Sequence, residues 1–110
     1  MEQKTLKTLS LRIKREFLHQ IANGEKREEL RTVCEHYYPM FVEKDDKGQL
    51  QYKHYDIIHL YVGNNKNSEY LKAKIIKIGA FEYKYKIPKG RVKGDRDFFI
   101  EIGEIIEKNF

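Results

Sequence analysis

Gly24-Glu25-Lys26-Arg27-Glu28-Glu29-Leu30-Arg31 joins the end of a helical pattern to the start of an alternating one. Upstream of it, Phe17, Leu18, Ile21 and Ala22 fall at i, i+1, i+4 and i+5, one apolar stripe along a helix over residues 14–23. Asn23-Gly24 ends that helix, because glycine accepts the left-handed conformation of a C-terminal cap without a Cβ clash. Lys14 and Arg15 oppose the helix dipole at its start, so they are either incidental or placed where the helix faces an anion. Downstream, residues 27–34 read as a strand. Alternate side chains share a face, so Arg27, Glu29, Arg31 and Val33 stand together against Glu28, Leu30, Thr32 and Cys34.

Outward from this helix-to-strand passage the chain is mostly strands. Leu9, Leu11 and Ile13 alternate with Ser10 and Arg12, a half-buried strand within residues 6–13. Residues 35–55 show no ruling period, and Glu43-Lys44-Asp45-Asp46-Lys47-Gly48 within them reads as a solvated turn or loop. Residues 56–62 are apolar on both faces, as a central strand is. Gly63 to Ser68 is a turn. Residues 69–80 form another strand, and the change of phase at Ile75-Ile76 predicts a bulge or bend. Phe81, Tyr83, Tyr85 and Ile87 alternate with Glu82, Lys84 and Lys86, which reads as a strand with its aromatic face in the core or as a stacking platform flanked by lysines. A polar loop over 88–97 precedes a last strand over 98–107. The pattern is α+β and mostly β: a small barrel of about five to six strands, with one firm helix between the first two. Closure would remove exposed sheet edges.

Composition fits one such domain over residues 1–110. A 40% hydrophobic content is enough for one core, and 110 residues leave no room for two. The net charge of +5 favours an anionic partner such as nucleic acid. Cys34 is the only cysteine, so no internal disulfide forms, which fits a reducing compartment. Met1-Glu2-Gln3-Lys4-Thr5 lacks the apolar core of a signal peptide. No apolar run approaches the roughly 18 residues of a membrane span, so a cytoplasmic chain with no membrane partner is expected. His19, His36, His54 and His59 lack metal-ligand spacing, and neither metal nor cofactor is expected. Cys34 and His36 are close in sequence, but nothing orients them as a nucleophile and base.

The charged stretch has a chemistry of its own. Lys26 stands at the turn, and Glu29 and Arg31 point the same way two residues apart. On a solvated strand face such charges mean little. Facing a recess, two cations around one carboxylate leave a net positive pocket that suits phosphate, or a base edge needing donors and an acceptor. Lys89-Gly90-Arg91-Val92-Lys93-Gly94 offers further phosphate contacts or a solvated loop. Tyr37, Tyr38 and Tyr55 are stacking candidates.

Written G-x-K-x-x-E-x-R, positions 24–31 resemble the signature of the ASCH domain, a small β-barrel relative of the RNA-binding PUA domain. Leu9 to Ile13 are similar to that family's opening strand and Phe17 to Asn23 to its helix. Gly24, Lys26, Glu29 and Arg31 match the fixed positions. Tyr55-Asp56-Ile57-Ile58 and Ile102-Gly103-Glu104-Ile105-Ile106 look like later strands of small bacterial and phage members, while residues 35–53 and 81–97 are unmatched. The resemblance implies a PUA-like barrel binding RNA or a nucleotide-like ligand in a basic cleft. Lys26 and Arg31 would then contact phosphate or a base carbonyl, and Glu29 would orient them or accept from a base amine. Arg12 and Tyr55 would extend the site, and Gly24 would shape the motif. Some members look like hydrolases of modified nucleosides or ribonucleases. In an enzyme, Lys26 and Glu29 would be the catalytic pair, with Lys26 needing a pKa lowered by burial beside Arg31. The hydrolase branch carries threonine where this chain has Glu29, and its distal glutamate would be Glu82 or Glu101. A protein-interaction module with an idle cleft is the third alternative.

Overall fold

The structure, a computed structural model, describes residues 5–110. Residues 1–4, on which the reading of the N-terminus rests, lie outside them. In chain order the elements are β1 (Thr8–Arg12), α1 (Arg15–Ala22), β2 (Glu28–Thr32), α2 (Tyr38–Phe41), β3 (Val42–Lys44), β4 (Leu50–Tyr52), β5 (Ile57–Tyr61), β6 (Tyr70–Glu82) and β7 (Arg96–Lys108). The two segments around the charged stretch form as their patterns dictate. Leu9 and Leu11 of β1 are buried, as are Leu18 and Ile21 of α1, and Phe17 and Ala22 pack at the core's margin. Gly24 follows α1 with φ of +85°, a conformation that costs a residue with a Cβ far more.

Five strands make one sheet in the order β1-β5-β6-β7-β2. β1 runs parallel to β5, and the other pairs are antiparallel. The protein is mostly β, and this sheet is curled into a half-barrel. β6 and β7 provide the curl. Each is 13 residues long, and their register slips repeatedly between Lys72 and Lys77. Such irregularities bend and twist a pair, which is the effect that the phase change at Ile75-Ile76 predicts. Leu11, Leu18, Leu60, Leu71 and Ile100 meet in one buried cluster against the sheet and α1. Closure itself is not reached. β1 and β2, the two ends of the sheet, are not paired with each other. Both are only five residues long, and the intervening α1 packs its apolar stripe on the shared core.

Residues 35–55 add a one-turn helix and a two-stranded ribbon, β3 with β4. Pro39 lies in the first turn of α2, where a missing N–H is no loss. Asp45 Oδ1 accepts the N–H groups of Lys47 and Gln49 at 2.9 Å each and closes the ribbon's turn. Phe41 is fully buried and stacks on Phe98, with ring centroids 4.6 Å apart, which pins the ribbon to the sheet.

The alternation over 81–87 does not continue as one strand. β6 ends at Glu82, Tyr83 still bonds Asp95 through its N–H at 2.8 Å, and then Lys86 turns to φ of +49° ahead of Pro88. Tyr83 is therefore buried, Phe81 is half-buried, and Tyr85 is 86% exposed. Asp97, 1% exposed, accepts from the Tyr83 hydroxyl at 2.8 Å and from Arg91 Nε at 3.0 Å, drawing the loop back onto the sheet. No helix among the described residues is long and apolar enough to cross a membrane.

Gly79 of β6 lies opposite Phe99 of β7, and a Cβ there would stand 2.6 Å from the ring. Gly79→Ala is expected to lower stability by about 1–3 kcal/mol, because the ring has to leave its place. Urea unfolding would read this as a lower midpoint with an unchanged slope. A wild-type midpoint would mean that Phe99 swings aside freely.

Candidate functional site

The unpaired ends of the sheet border a cleft of about 800 Å³. β1 contributes Ser10 and Arg12 to one side, and β2 contributes Glu29, Arg31 and Thr32 to the other. The start of α1 brings Lys14 and Phe17, and more distant segments bring Tyr37, Tyr61 and Arg91. Arg31 reaches across. Its Nη2 donates to the Arg12 carbonyl at 2.8 Å, and its Nη1 donates to the Tyr37 hydroxyl at 3.1 Å.

The register of β2 on β7 explains why these polar groups point inward. Glu29 lies opposite Ile100 and Arg31 opposite Phe98, and both partners are buried in the core. Directly opposed residues share a face of the sheet. Leu30, the only leucine of the strand, pairs with Phe99 on the other face and is half-buried. The strand thus turns Glu29 and Arg31 in, and Glu28 and Leu30 to the other face.

Glu29 is 5% exposed. Its Oε1 accepts the Leu30 N–H at 3.3 Å and lies 3.6 Å from Arg31 Nε, and its Oε2 lies 3.9 Å from Lys26 Nζ. The last two are charge contacts without a hydrogen bond. Glu29 Oε2 and Arg31 Nε are both buried and have no hydrogen-bond partner. Such groups are few in native proteins and cost about 1–3 kcal/mol each. Burial pushes the Glu29 carboxyl above the usual carboxylate range. Lys26, then Arg31 and the Leu30 N–H, pull it back without cancelling the effect.

The motif positions therefore come together, with divided tasks. Lys26 is not on the cleft wall. It backs Glu29 and holds its ammonium 4.6 Å from the centre of the Phe17 ring, itself a cleft residue. Arg12 is on the wall, its Nε donating to the Val62 carbonyl at 3.0 Å. Gly24 shapes the turn and does not line the cleft. Tyr55 is elsewhere. Its hydroxyl donates to the Met40 carbonyl at 2.7 Å, and burial, followed by the charge of Glu43, pushes its pKa up. Of the three tyrosines proposed for stacking, Tyr37 alone reaches the cleft, while Tyr38 borders a separate groove with Leu50 and Tyr52. Glu82 and Glu101 are exposed and off the cleft wall. His36 is on the wall, and Cys34 is exposed beside it in sequence.

The sequence pattern does not single out Thr32, Phe17 or Tyr61 for the site, and it gives the Arg91 loop phosphate contact or solvation as equal alternatives. Arg91 Nη2 donates to Thr32 Oγ1 at 3.1 Å, while Asp97 holds its Nε. Only the fold-back of residues 86–95 makes this contact, so no local signal reveals it. Lys14, flagged as oddly placed for the dipole, stands at the start of a helix with no side-chain cap, at the cleft. Arg12, Lys14, Arg31 and Arg91 line the cleft, and Glu29 is the one carboxylate among its lining residues, so the cleft is basic. Among the described residues no group of three His, Cys, Asp or Glu is placed to hold a metal ion. Comparison of the chain with family models, curated proteins and solved structures finds no match.

A carboxyl with a raised folded pKa is penalised in its charged form, so its contribution to stability is fullest in acid and falls as pH rises through that pKa. Glu29→Gln keeps the neutral shape. The variant is expected to be more stable than wild type at pH 7, with the gap closing as pH drops through the raised pKa and gone below the ordinary glutamate value. Thermal melts across pH 4 to about 7 check this. A gap independent of pH would show that the charge on Glu29 is fully compensated.

Proposed function

We propose that this chain is an ASCH-type, PUA-like domain that binds RNA or a nucleotide-like ligand in the cleft between β1 and β2. One observation carries the reading: Glu29 Oε2, an acceptor, and Arg31 Nε, a donor, are buried without hydrogen-bond partners in two residues that line a basic recess with aromatic residues on its wall. A nucleobase edge offers a donor and an acceptor in that arrangement and would satisfy both. Phe17, Tyr37 and Tyr61 offer ring faces for stacking, and Arg12 and Lys14 suit the phosphates. The match of Gly24, Lys26, Glu29 and Arg31 to the family signature supports the same ligand class. The lone Cys34 agrees with a cytoplasmic setting.

Glu29 also favours a second reading. A buried carboxyl with a raised pKa and one oxygen lacking a hydrogen bond, in a residue that lines a cleft, has the properties of a general acid or base. In a hydrolase of acylated nucleosides or RNA, Glu29 would move the proton and Lys26 would hold it in place. Turnover of N-acylated cytidine or labelled RNA that Glu29→Gln abolishes would establish this reading over simple binding.

Binding itself is tested by fluorescence anisotropy with labelled single-stranded RNA over a salt series. Lys14→Ala is expected to weaken binding and reduce the slope of log K against log salt by about one. Lys26→Ala is expected to weaken binding with the fold intact, through the loss of support for Glu29. Affinity that ignores salt, or that survives both substitutions, would overturn the proposal.

A further inference from the structure

A second hollow, of about 390 Å³, adjoins the cleft on the outer face of β1, β5 and β6, beneath the loop over residues 63–68. Ser10 and Tyr61 line both recesses, so the two are neighbours. The strand register explains its chemistry. Arg12, Tyr61 and Tyr70 stand directly opposite one another on three neighbouring strands, and Ser10, His59 and Lys72 form the next row. Leu9, Leu11, Ile58 and Leu60 fill the alternate positions and face the core. The His59 ring lies 5.4 Å from that of Tyr61 and 5.5 Å from that of Tyr70. All three rings are half-buried and none is needed by the core cluster. The Tyr70 hydroxyl is held by Glu107, which fixes its ring.

Cross-strand aromatic pairs also stabilise a sheet with no ligand present. They do not by themselves explain a hollow beside the rings, lined by Asn64, Asn65 and Lys66 and next to a basic cleft. A sheet face that shows rings flanked by cations is the general form of a platform for unpaired bases, because every base has a face to stack and a phosphate beside it.

We infer that this hollow is a second base-stacking subsite in line with the cleft, so that the ligand is a single-stranded oligonucleotide spanning both and not a free nucleotide. The inference rests on the nucleotide-binding reading above. One base enters the cleft at Glu29 and Arg31, the strand crosses the β1 rim over Tyr61, and a neighbouring base stacks on His59 and Tyr70. Lys66 meets the phosphate at the far end.

The test compares affinity for the four ribonucleoside 5′-monophosphates with that for the matching homotrinucleotides, by calorimetry or competition. In wild type the best trinucleotide is expected to bind at least about tenfold tighter than its mononucleotide, the scale of one stacked base. In His59→Ala/Lys66→Ala, with folding checked by thermal melting, that ratio should fall to about one. Lys66→Ala alone, on an exposed loop, keeps the question open to measurement if the double variant fails to fold, and should lower the ratio in part. Equal wild-type affinity for both lengths would overturn the second subsite and leave the cleft reading standing, as would a ratio that the variants do not change. No binding of any nucleotide of either length would overturn both together.

Discussion

Arg31 joins the two ends of a sheet that the backbone leaves apart. Its guanidinium donates to the Arg12 carbonyl on β1 and to the Tyr37 hydroxyl, while its own backbone belongs to β2. A curled sheet that stops short of closure has two strand edges whose N–H and C=O groups lack ladder partners. Ladder bonds between β1 and β2 would satisfy those groups and fill the space. A single side-chain strut holds the rims at a fixed separation and keeps the space. The planar, permanently charged guanidinium suits this task, because its fork offers several donors in fixed directions. The cleft is therefore the part of the barrel that was never completed.

Glu29 shows what that arrangement costs. Its carboxylate is taken out of water, and its two cationic neighbours stay beyond hydrogen-bond reach. Pairs of this kind add little to stability, because desolvation consumes most of the attraction. An apolar residue facing Ile100 would pack more cheaply. The same imperfection leaves a donor and an acceptor without partners in two residues that line the recess, which a well-satisfied ion pair would not do. The Arg91–Asp97–Tyr83 network nearby is the contrast. There every oxygen of Asp97 is engaged and the loop is fixed in place.

Much of the fold is legible in the chain because its strong patterns agree with one another. Leu18 and Ile21 define α1, Gly24 ends it, and the slip at Ile75-Ile76 marks the bend of β6. The ribbon was not legible, because strands of three residues are too short to show a period. The stretch from Phe81 to Ile87 misled because alternation says which side chains share a face, not where pairing stops. The site was legible in its centre, at Glu29 and Arg31, through spacing. Even there, local pattern would put Leu30 inward, and only the register against β7 reverses this. Arg91 and Tyr61 join the site through contacts far apart in sequence, which no window of residues contains.

The two rims also share a history. β1 meets its partner strand 49 residues later in the chain, as Ser10 and His59 illustrate, and β2 waits for β7 at the far end. Closing such long loops costs more chain entropy than pairing β5 with β6 or β6 with β7, which follow one another in sequence. The recess is thus bounded by strands whose pairing depends on the longest chain closures in the sheet. A guest lodged between the rims would act as a clasp on the whole topology, tying the beginning of the polypeptide to its end.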